Sequence, residues 1–470
     1  MRRRAALAIA VIGILAAAPG RAADENSDLD MIPGTPPATA APVAPQTAVT
    51  QGTLTIEDAA ALGSRRGGLV VPLPAGSANF VDWQNRTSLN GRHDWHWGDD
   101  VTVTVSDRLN LYFDNNIAIP SHQQVGNDFR EGYLTWEVVP QNYLEVGRIN
   151  VKHGVAMGFN PTDFFKTRTS LNQSSADPSA LRENRLGTVM VRGQTIFTGG
   201  AVTLAVAPRL RSPQAIDTAA APSLDPVFGQ TNGHDRLLLT GSFDLIPDVS
   251  SEFLFYHEDD QNRIGANFSV PIGDAVIAYA EGAGGRQRRL ADAAERFGRQ
   301  TGTLPASAAD LLSTGTDSHF RSDAVLGASW TSTNKITVNL EYHFHEAGFS
   351  GSDWRHWFAT GAANAGSSLA SGPLWYLRSY AQDQQEPMSR QELFVRADWT
   401  DALVPDLELT AFAQANPHDG SVLTQVAASY FLSDTWTVGA VARTTIGGPR
   451  SEYGSLAQAR SVILQIIRYF

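Results

Sequence analysis

Lys335-Ile-Thr-Val-Asn-Leu-Glu-Tyr-His-Phe-His345 decides the fold class. Ile336, Val338, Leu340, Tyr342 and Phe344 fall on one face of an extended chain, and Thr337, Asn339, Glu341, His343 and His345 fall on the other. A period of two belongs to a half-buried strand and excludes an amphipathic helix, whose apolar positions recur every three to four residues. Arg390 to Trp399 repeats the pattern, with Leu393, Val395, Ala397 and Trp399 set against Arg390, Glu392, Phe394, Arg396 and Asp398. Arg236 to Asp244 and Arg263 to Val270 alternate likewise.

Extending the reading outward gives 18 strands, over 80–95, 100–105, 109–117, 128–138, 142–152, 184–196, 200–207, 235–244, 250–258, 262–270, 274–282, 322–331, 335–345, 389–399, 406–415, 421–432, 435–446 and 459–470. Most approach the ~9–11 residues of a tilted membrane-spanning strand. The connections alternate in length. Ser106-Asp107-Arg108, Pro140-Gln141, Thr198-Gly199-Gly200, Pro247-Asp248, Pro271 to Asp274, Thr331 to Asn334 and Ser433-Asp434 are turn-forming residues at hairpin spacing. Between them lie long segments, about 153–183, 208–234, 283–321, 346–388 and 447–458. Short turns at one end and long loops at the other mark an outer-membrane barrel. An even strand count places both termini at the short-turn, periplasmic end.

The N-terminus fits that destination. Arg2-Arg3-Arg4 is a basic leader, Ala5 to Ala18 an uncharged apolar run of 14 residues, and Pro19-Gly20-Arg21-Ala22 a break with small residues. This is the pattern of a secretory signal peptide over 1–22, cleaved near Ala22. The run is short of the ~20 residues a transmembrane helix needs. Residues 23–79 read as a periplasmic linker rich in Pro, Ala and Thr. Thr55-Ile-Glu-Asp-Ala-Ala-Ala-Leu62 supplies a cap and first-turn acids for a short helix within it. The barrel is then expected over 80–470. A linker of that size is too small for the plug of a TonB-dependent receptor.

Composition narrows the function. The 470 residues include no Cys, which removes disulfides, thiolate metal sites and a thiol nucleophile. Formal charge is −12, and the first 22 residues hold four Arg and no acid, so nucleic acid is not a partner. No HExxH, GxSxG or Walker pattern is present. No cofactor is expected. His343-x-His345 puts two imidazoles on one strand face, where zinc or copper binding is one reading and a polar lumen row the preferred one. His93-x-x-His96, beside Trp95 and Trp97, reads as part of an aromatic girdle. Arg286 to Phe297 has the pattern of an amphipathic helix in a long loop that could fold inward as a constriction or cover the mouth, with a solvated surface helix the preferred reading.

Three blocks resemble porin-like outer-membrane proteins of proteobacteria, the alginate-export channels among them. The first is Leu144-Glu-Val-Gly-Arg-Ile-Asn-Val-Lys-His-Gly154 with Gly158-Phe-Asn-Pro-Thr-Asp-Phe-Phe165; Lys152-His153-Gly154 departs from it where Trp-Gly stands in the family. The others are Arg182 to Gly187 and Gly448 to Gly454. The resemblance implies an 18-stranded pore and no particular substrate. Ser461 to Phe470, an alternating strand closed by Phe, resembles the signal read by the outer-membrane assembly machinery; Val462, Leu464, Ile466 and Phe470 would face lipid.

A charge facing lipid at mid-membrane costs about 2–4 kcal/mol, so charged strand residues should point inward. The expected pore-lining set is Arg148, Asn150, Lys152, Arg192, Glu341, His343, His345, Arg390, Glu392 and Arg396. Its arginines could form an anion-preferring constriction or pair internally with Glu131, Glu137, Glu183, Glu341, Glu392 and Asp398. The reading is an all-β, antiparallel up-and-down transmembrane barrel in the Gram-negative outer membrane. It would be a non-enzymatic channel for polar or anionic solutes or a polysaccharide. The alternatives are a barrel-embedded hydrolase and a closed-lumen binding or assembly scaffold.

Overall fold

The computed structural model describes residues 51–74, 82–114, 125–171, 174–215, 225–304, 318–365 and 368–470. The signal-peptide expectation lies outside them. Eighteen strands form one closed antiparallel sheet: β1 (Gln51–Arg65), β2 (Trp83–Trp97), β3 (Val101–Asp114), β4 (Val125–Val139), β5 (Asn142–Ile149), β6 (Thr188–Phe197), β7 (Gly200–Ala207), β8 (Arg236–Phe243) and β9 (Ser250–Glu258), followed by β10 (Gln261–Ile272), β11 (Val276–Arg288), β12 (Ser318–Thr331), β13 (Ile336–His345), β14 (Gln391–Trp399), β15 (Leu407–Ala415), β16 (Val422–Ser433), β17 (Trp436–Ile446) and β18 (Gln458–Tyr469). Each strand pairs with its neighbours in sequence, and β1 pairs with β18 to close the ring, from Thr55 opposite Tyr469 to Leu62 opposite Val462.

The pleat sorts side chains as the alternation requires. On β13, Leu340 is 56% exposed on the outer wall while Glu341, His343 and His345 are buried inside. Val462, Leu464 and Ile466 of β18 are exposed outward. Arg468 ends that row and lies over the rings of Trp436 and Phe470 at the short-turn rim. Trp97, Trp136, Trp330 and Trp436, all exposed, surround the same rim, as a membrane-interface girdle does. The turns at that end fall at 98–100, 140–141, 198–199, 244–249, 273–275, 332–335, 400–406 and 434–435.

Two sequence expectations fail, and they cancel in the count. Residues 51–65 are a barrel strand, neither linker nor helix. Its outward row reads Leu54, Ile56, Asp58, Ala60 and Leu62, and the carboxylate at its centre disguises the alternation. Asp58 is satisfied from β2, accepting from Asn85 Nδ2 at 2.9 Å and Thr87 Oγ1 at 2.7 Å. The barrel wall therefore begins at Gln51, not at residue 80. Conversely, Ser106-Asp107-Arg108 is no turn: β3 runs through it to Asp114. A bulge there pairs Ser106 with Glu131 and Asp107 with Phe129, leaving Arg130 as the extra residue.

The long-loop end carries helices: α1 (Pro178–Glu183), α2 (Phe228–Thr231), α3 (Leu290–Thr301), α4 (Gly351–Ala363) and α5 (Ser368–Gln384). The helix read at Arg286 to Phe297 forms as α3, but it is not solvated. Leu290, Ala291 and Ala294 are buried in one apolar cluster with Val71, Trp354, Trp357, Leu374, Trp375 and Ala457. Four different loops thus share a single cap. Arg378 of α5 lies 4.8–5.6 Å from the rings of Trp354, Trp357 and Trp375, and burial pulls its pKa down to about 10.

Candidate functional site: a lumen divided by an inserted loop

The segment between β5 and β6, residues 150–187, turns into the barrel and not away from it. Phe164 and Phe165 are buried against Ile149, Met190, Leu238, Leu254 and Tyr256, and Phe164 stacks on Tyr256 at 4.7 Å. Val155, Ala156 and Phe159 pack on Tyr279 and Val325 of the facing wall. Apolar burial brings the loop in; two wall carboxylates fix its backbone.

Glu281 of β11 accepts hydrogen bonds from the backbone N–H of Val155 (2.9 Å), Ala156 (3.2 Å) and Thr162 (2.8 Å) and from Thr162 Oγ1 (2.8 Å). Glu341 of β13 accepts from the N–H of Met157 (2.6 Å) and Gly158 (3.0 Å) and from Tyr279 Oη (2.7 Å). A buried loop must find partners for its N–H groups, and here anionic acceptors supply the stronger kind of bond. Asp163 receives a fork from Arg185 at 2.8 and 3.0 Å. Burial alone would raise the Asp163 carboxyl, but Arg185 and Arg182 hold it below the usual range. Asp177 caps α1 by accepting from the Ser179 N–H and also receives Arg396 Nε at 2.9 Å.

The expected lining residues therefore divide. Glu341, His343, His345, Glu392 and Arg396 do point inward, but they anchor the loop and one another. His343 has Glu341 at 2.7 Å and Glu392 at 2.9 Å on its two nitrogens, and His345 has Asp323 at 2.8 Å. Tyr453 Oη donates to Glu392 at 2.6 Å, tying in the last loop. Both imidazoles of the metal reading are thus occupied by carboxylates, and among the described residues no cluster of three or more His, Asp or Glu is arranged for a metal ion. Arg390 is half-buried just before β14. Arg192 faces inward and pairs with Glu145 at 2.8 Å.

Arg148 is a correction. It stands opposite Gly132 and Val189, in the row that carries Val146 and Val191 outward, and not in the row of Glu145 and Arg192. Its guanidinium is buried, donating to Gly187 O (2.9 Å) and Pro226 O (2.7 Å) near Phe228. Asn150 and Lys152 lie beyond the end of β5, in the inserted loop. Asn150 accepts from Arg185 at 2.7 Å, and Lys152 pairs with Glu183 at 2.5 Å.

The open part of the lumen is on the other side. A cavity of about 390 Å³ is walled by Thr53, Thr55 and Glu57 of β1, by Arg86 and Arg92 of β2, by Arg108 and Arg130, and by Gln465, Ile467 and Tyr469 of β18; Ser174, Ser175 and Asn184 of the loop face them. Arg86 and Arg108 share Glu57, at 2.5 and 3.6 Å. Arg92 pairs with Glu131 at 3.0 Å, and Arg130 donates to Asn184 at 3.2 Å. Four arginines face the gap with Glu57 as the carboxylate among its described lining residues, while Glu131, Asp107 and Asp128 act on Arg92, Arg108 and Arg130 from outside that lining. The sequence conceals this wall because Asp58 interrupts the outward row of β1 and Ser106 has turn chemistry inside β3. The inward row Gln84, Arg86, Ser88, Asn90, Arg92 was the signal available.

No family profile matches the chain, and no curated protein matches its sequence. Solved structures do match in fold. Pseudomonas aeruginosa OccK8 (OprE) aligns over 90% of this chain and 98% of its own, with a TM-score of 0.50 and 9% identity. Acinetobacter baumannii OccAB1 aligns over 90% and 96%, with a TM-score of 0.52 and 10% identity. A BenF-like porin from Pseudomonas fluorescens Pf-5 aligns over 90% and 98%, also at 0.52 and 10%. The likeness is one of fold, that of a closed β-barrel such as these porins have.

Proposed function

We propose that the chain is a channel of the Gram-negative outer membrane that passes small polar solutes and favours anions. One observation carries the reading: the gap left beside the inserted loop is walled by Arg86, Arg92, Arg108 and Arg130. A cationic wall facing a narrow aqueous gap raises the local concentration of anions and lowers that of cations, and salt screens the effect. A barrel of this strand number is too wide for wall side chains to fill. The loop supplies the narrowing, and it leaves less room for a polysaccharide chain than for single small solutes. The leader over 1–22 and the terminal Phe470 agree with export and insertion, the latter through the assembly machinery. A hydrolase would need a nucleophile beside a base, and a closed scaffold would conduct no ions.

The test is the reversal potential across a salt gradient in planar bilayers. Wild type should be anion-selective, and Arg108→Gln or Arg130→Gln should each reduce the selectivity. Arg148→Gln should leave it unchanged, because that guanidinium is turned to Gly187 and Pro226. A cation-selective wild type, or arginine variants that match it, would remove the anion reading; absence of conductance would remove the channel.

A further inference from the structure

A second cavity lies on the far side of the inserted loop and shares no wall residue with the arginine-lined gap. It measures about 190 Å³ and sits between residues 161–168, the long-loop ends of β9 to β11, α3 and α5. Lys166, Arg168, Arg263, Arg288 and Arg296 line it, against the carboxylates of Asp163, Glu258 and Glu386. Asp163 is held by Arg185, Glu258 accepts from Tyr256 Oη and faces Arg168, and Glu386 lies 3.8 Å from His345 and faces Lys166. Arg263 pairs with Asp323 at 2.7 Å, and the other cations are less fully used. Lys166 and Arg168 donate to carbonyl oxygens, of Asn160 and Gln230. Arg288 and Arg296 make no ion pair with any described carboxylate.

Two donors inside this wall also lack acceptors. Gln384 is 8% exposed, and its Nε2 has no hydrogen-bond partner among the described residues; the same holds for Arg263 Nε. Buried donors normally find partners. Here they adjoin a cavity to which Arg288 and Arg296 add positive charge. Donors converge from the loop, β10, β11 and α5, which suits a ligand with oxygens in several directions better than a planar carboxylate with two. At ~10–15 Å³ for each water position, the cavity has room for on the order of a dozen waters, well beyond a bare phosphate ion.

We propose that this cavity binds a small phosphorylated solute, its phosphate held by Gln384, Arg288 and Arg168 and its body in the remaining space beside Phe164 and Phe297. The site is separate from the conducting gap and its occupancy does not depend on the anion selectivity proposed above.

The experiment is calorimetric titration of the full-length protein, refolded in detergent, with four probes: glucose 6-phosphate, inorganic phosphate, glucuronate and glucose. Glucose 6-phosphate should bind, inorganic phosphate more weakly, and glucuronate and glucose not measurably at millimolar concentration. Binding of phosphate as tight as that of the sugar phosphate would assign the site to the free ion and overturn the monoester proposal. Gln384→Leu and Arg288→Gln should each weaken binding by about tenfold or more, while Arg108→Gln in the other cavity leaves it intact. Equal binding of glucuronate, no binding of either phosphate, or loss of binding in Arg108→Gln alone would each overturn the assignment. Single-channel conductance of Gln384→Leu and Arg288→Gln should stay at the wild-type value, which shows that the barrel has folded.

Discussion

Replacing Glu281 with Ala should free the inserted loop and enlarge the conducting path. The carboxylate accepts four bonds of 2.8–3.2 Å, three from backbone N–H groups and one from the Thr162 hydroxyl, with Asn160 Nδ2 at 3.4 Å as a weaker fifth. A hydrogen bond to a charged group is worth ~1.5–3 kcal/mol, so the gross loss for four is about 6–12 kcal/mol. Removing Glu281 also relieves its own desolvation, several kcal/mol, which leaves a net cost of about 3–5 kcal/mol. That shifts the ratio of docked to undocked loop by about two to four orders of magnitude. Glu281→Gln keeps one acceptor oxygen and should fall between. The assay is single-channel conductance in planar bilayers, with heat-modifiable migration on gels to establish that the barrel is intact. Conductance and current noise should rise in the order wild type, Gln, Ala. A folded Glu281→Ala barrel with wild-type conductance would refute the claim that this carboxylate holds the loop.

Leu340→Arg should lower barrel stability by about 2–4 kcal/mol, read as the urea midpoint of folding into lipid vesicles; no change would mean that this face does not meet lipid. Glu452, buried in the last loop with Ser389 and Asn416 as donors, has its carboxyl raised by burial to about 7. Its ionised form therefore costs the folded state about 3 kcal/mol at pH 8, and most of that cost vanishes as pH falls to 5. Protection factors for hydrogen exchange in α4 and α5, which remove the intrinsic pH dependence of the exchange reaction, should rise on acidification, and Glu452→Gln should abolish that rise; a fall in wild-type protection would reverse the assignment. Deleting Phe470, whose N–H donates to Leu54 O at 3.0 Å, should leave unfolded chain in the periplasm; normal yields in the outer membrane would show that the terminal residue is dispensable.

What could be read from the chain alone follows from the range of each interaction. The faces of β13, β14 and β18 were legible, because a period of two is local and the membrane penalises every error in it. Seven short connections were expected and six are turns, since Pro, Gly, Asn and Asp force them locally. The seventh, at Ser106, has turn chemistry inside a strand, and only the bulge opposite Arg130 reveals why. β1 was hidden for a related reason: Asp58 in its outward row is tolerable only because β2 supplies Asn85 and Thr87. The inward path of residues 150–187 was not legible at all. Thr162 and Glu281 are 119 residues apart, and nothing near either one announces the other. Inward-facing residues were thus found without their role, and Glu341 and His343 turned out to be fasteners for the loop.

The pairing of β1 with β18 also governs how the barrel must be made. Thr55 and Tyr469 are joined across nearly the whole chain, so the last hydrogen-bonded ladder cannot form until the final residues have been synthesised. Contacts at such separation carry the largest loop-closure entropy and come late and slowly. Until then the nascent sheet has two raw edges, and open edges recruit foreign strands. The seam therefore sets the time during which the polypeptide needs a chaperone. A substitution such as Asp58→Ala, on the outer face of the wall, would show its effect in assembly kinetics before it altered the finished barrel.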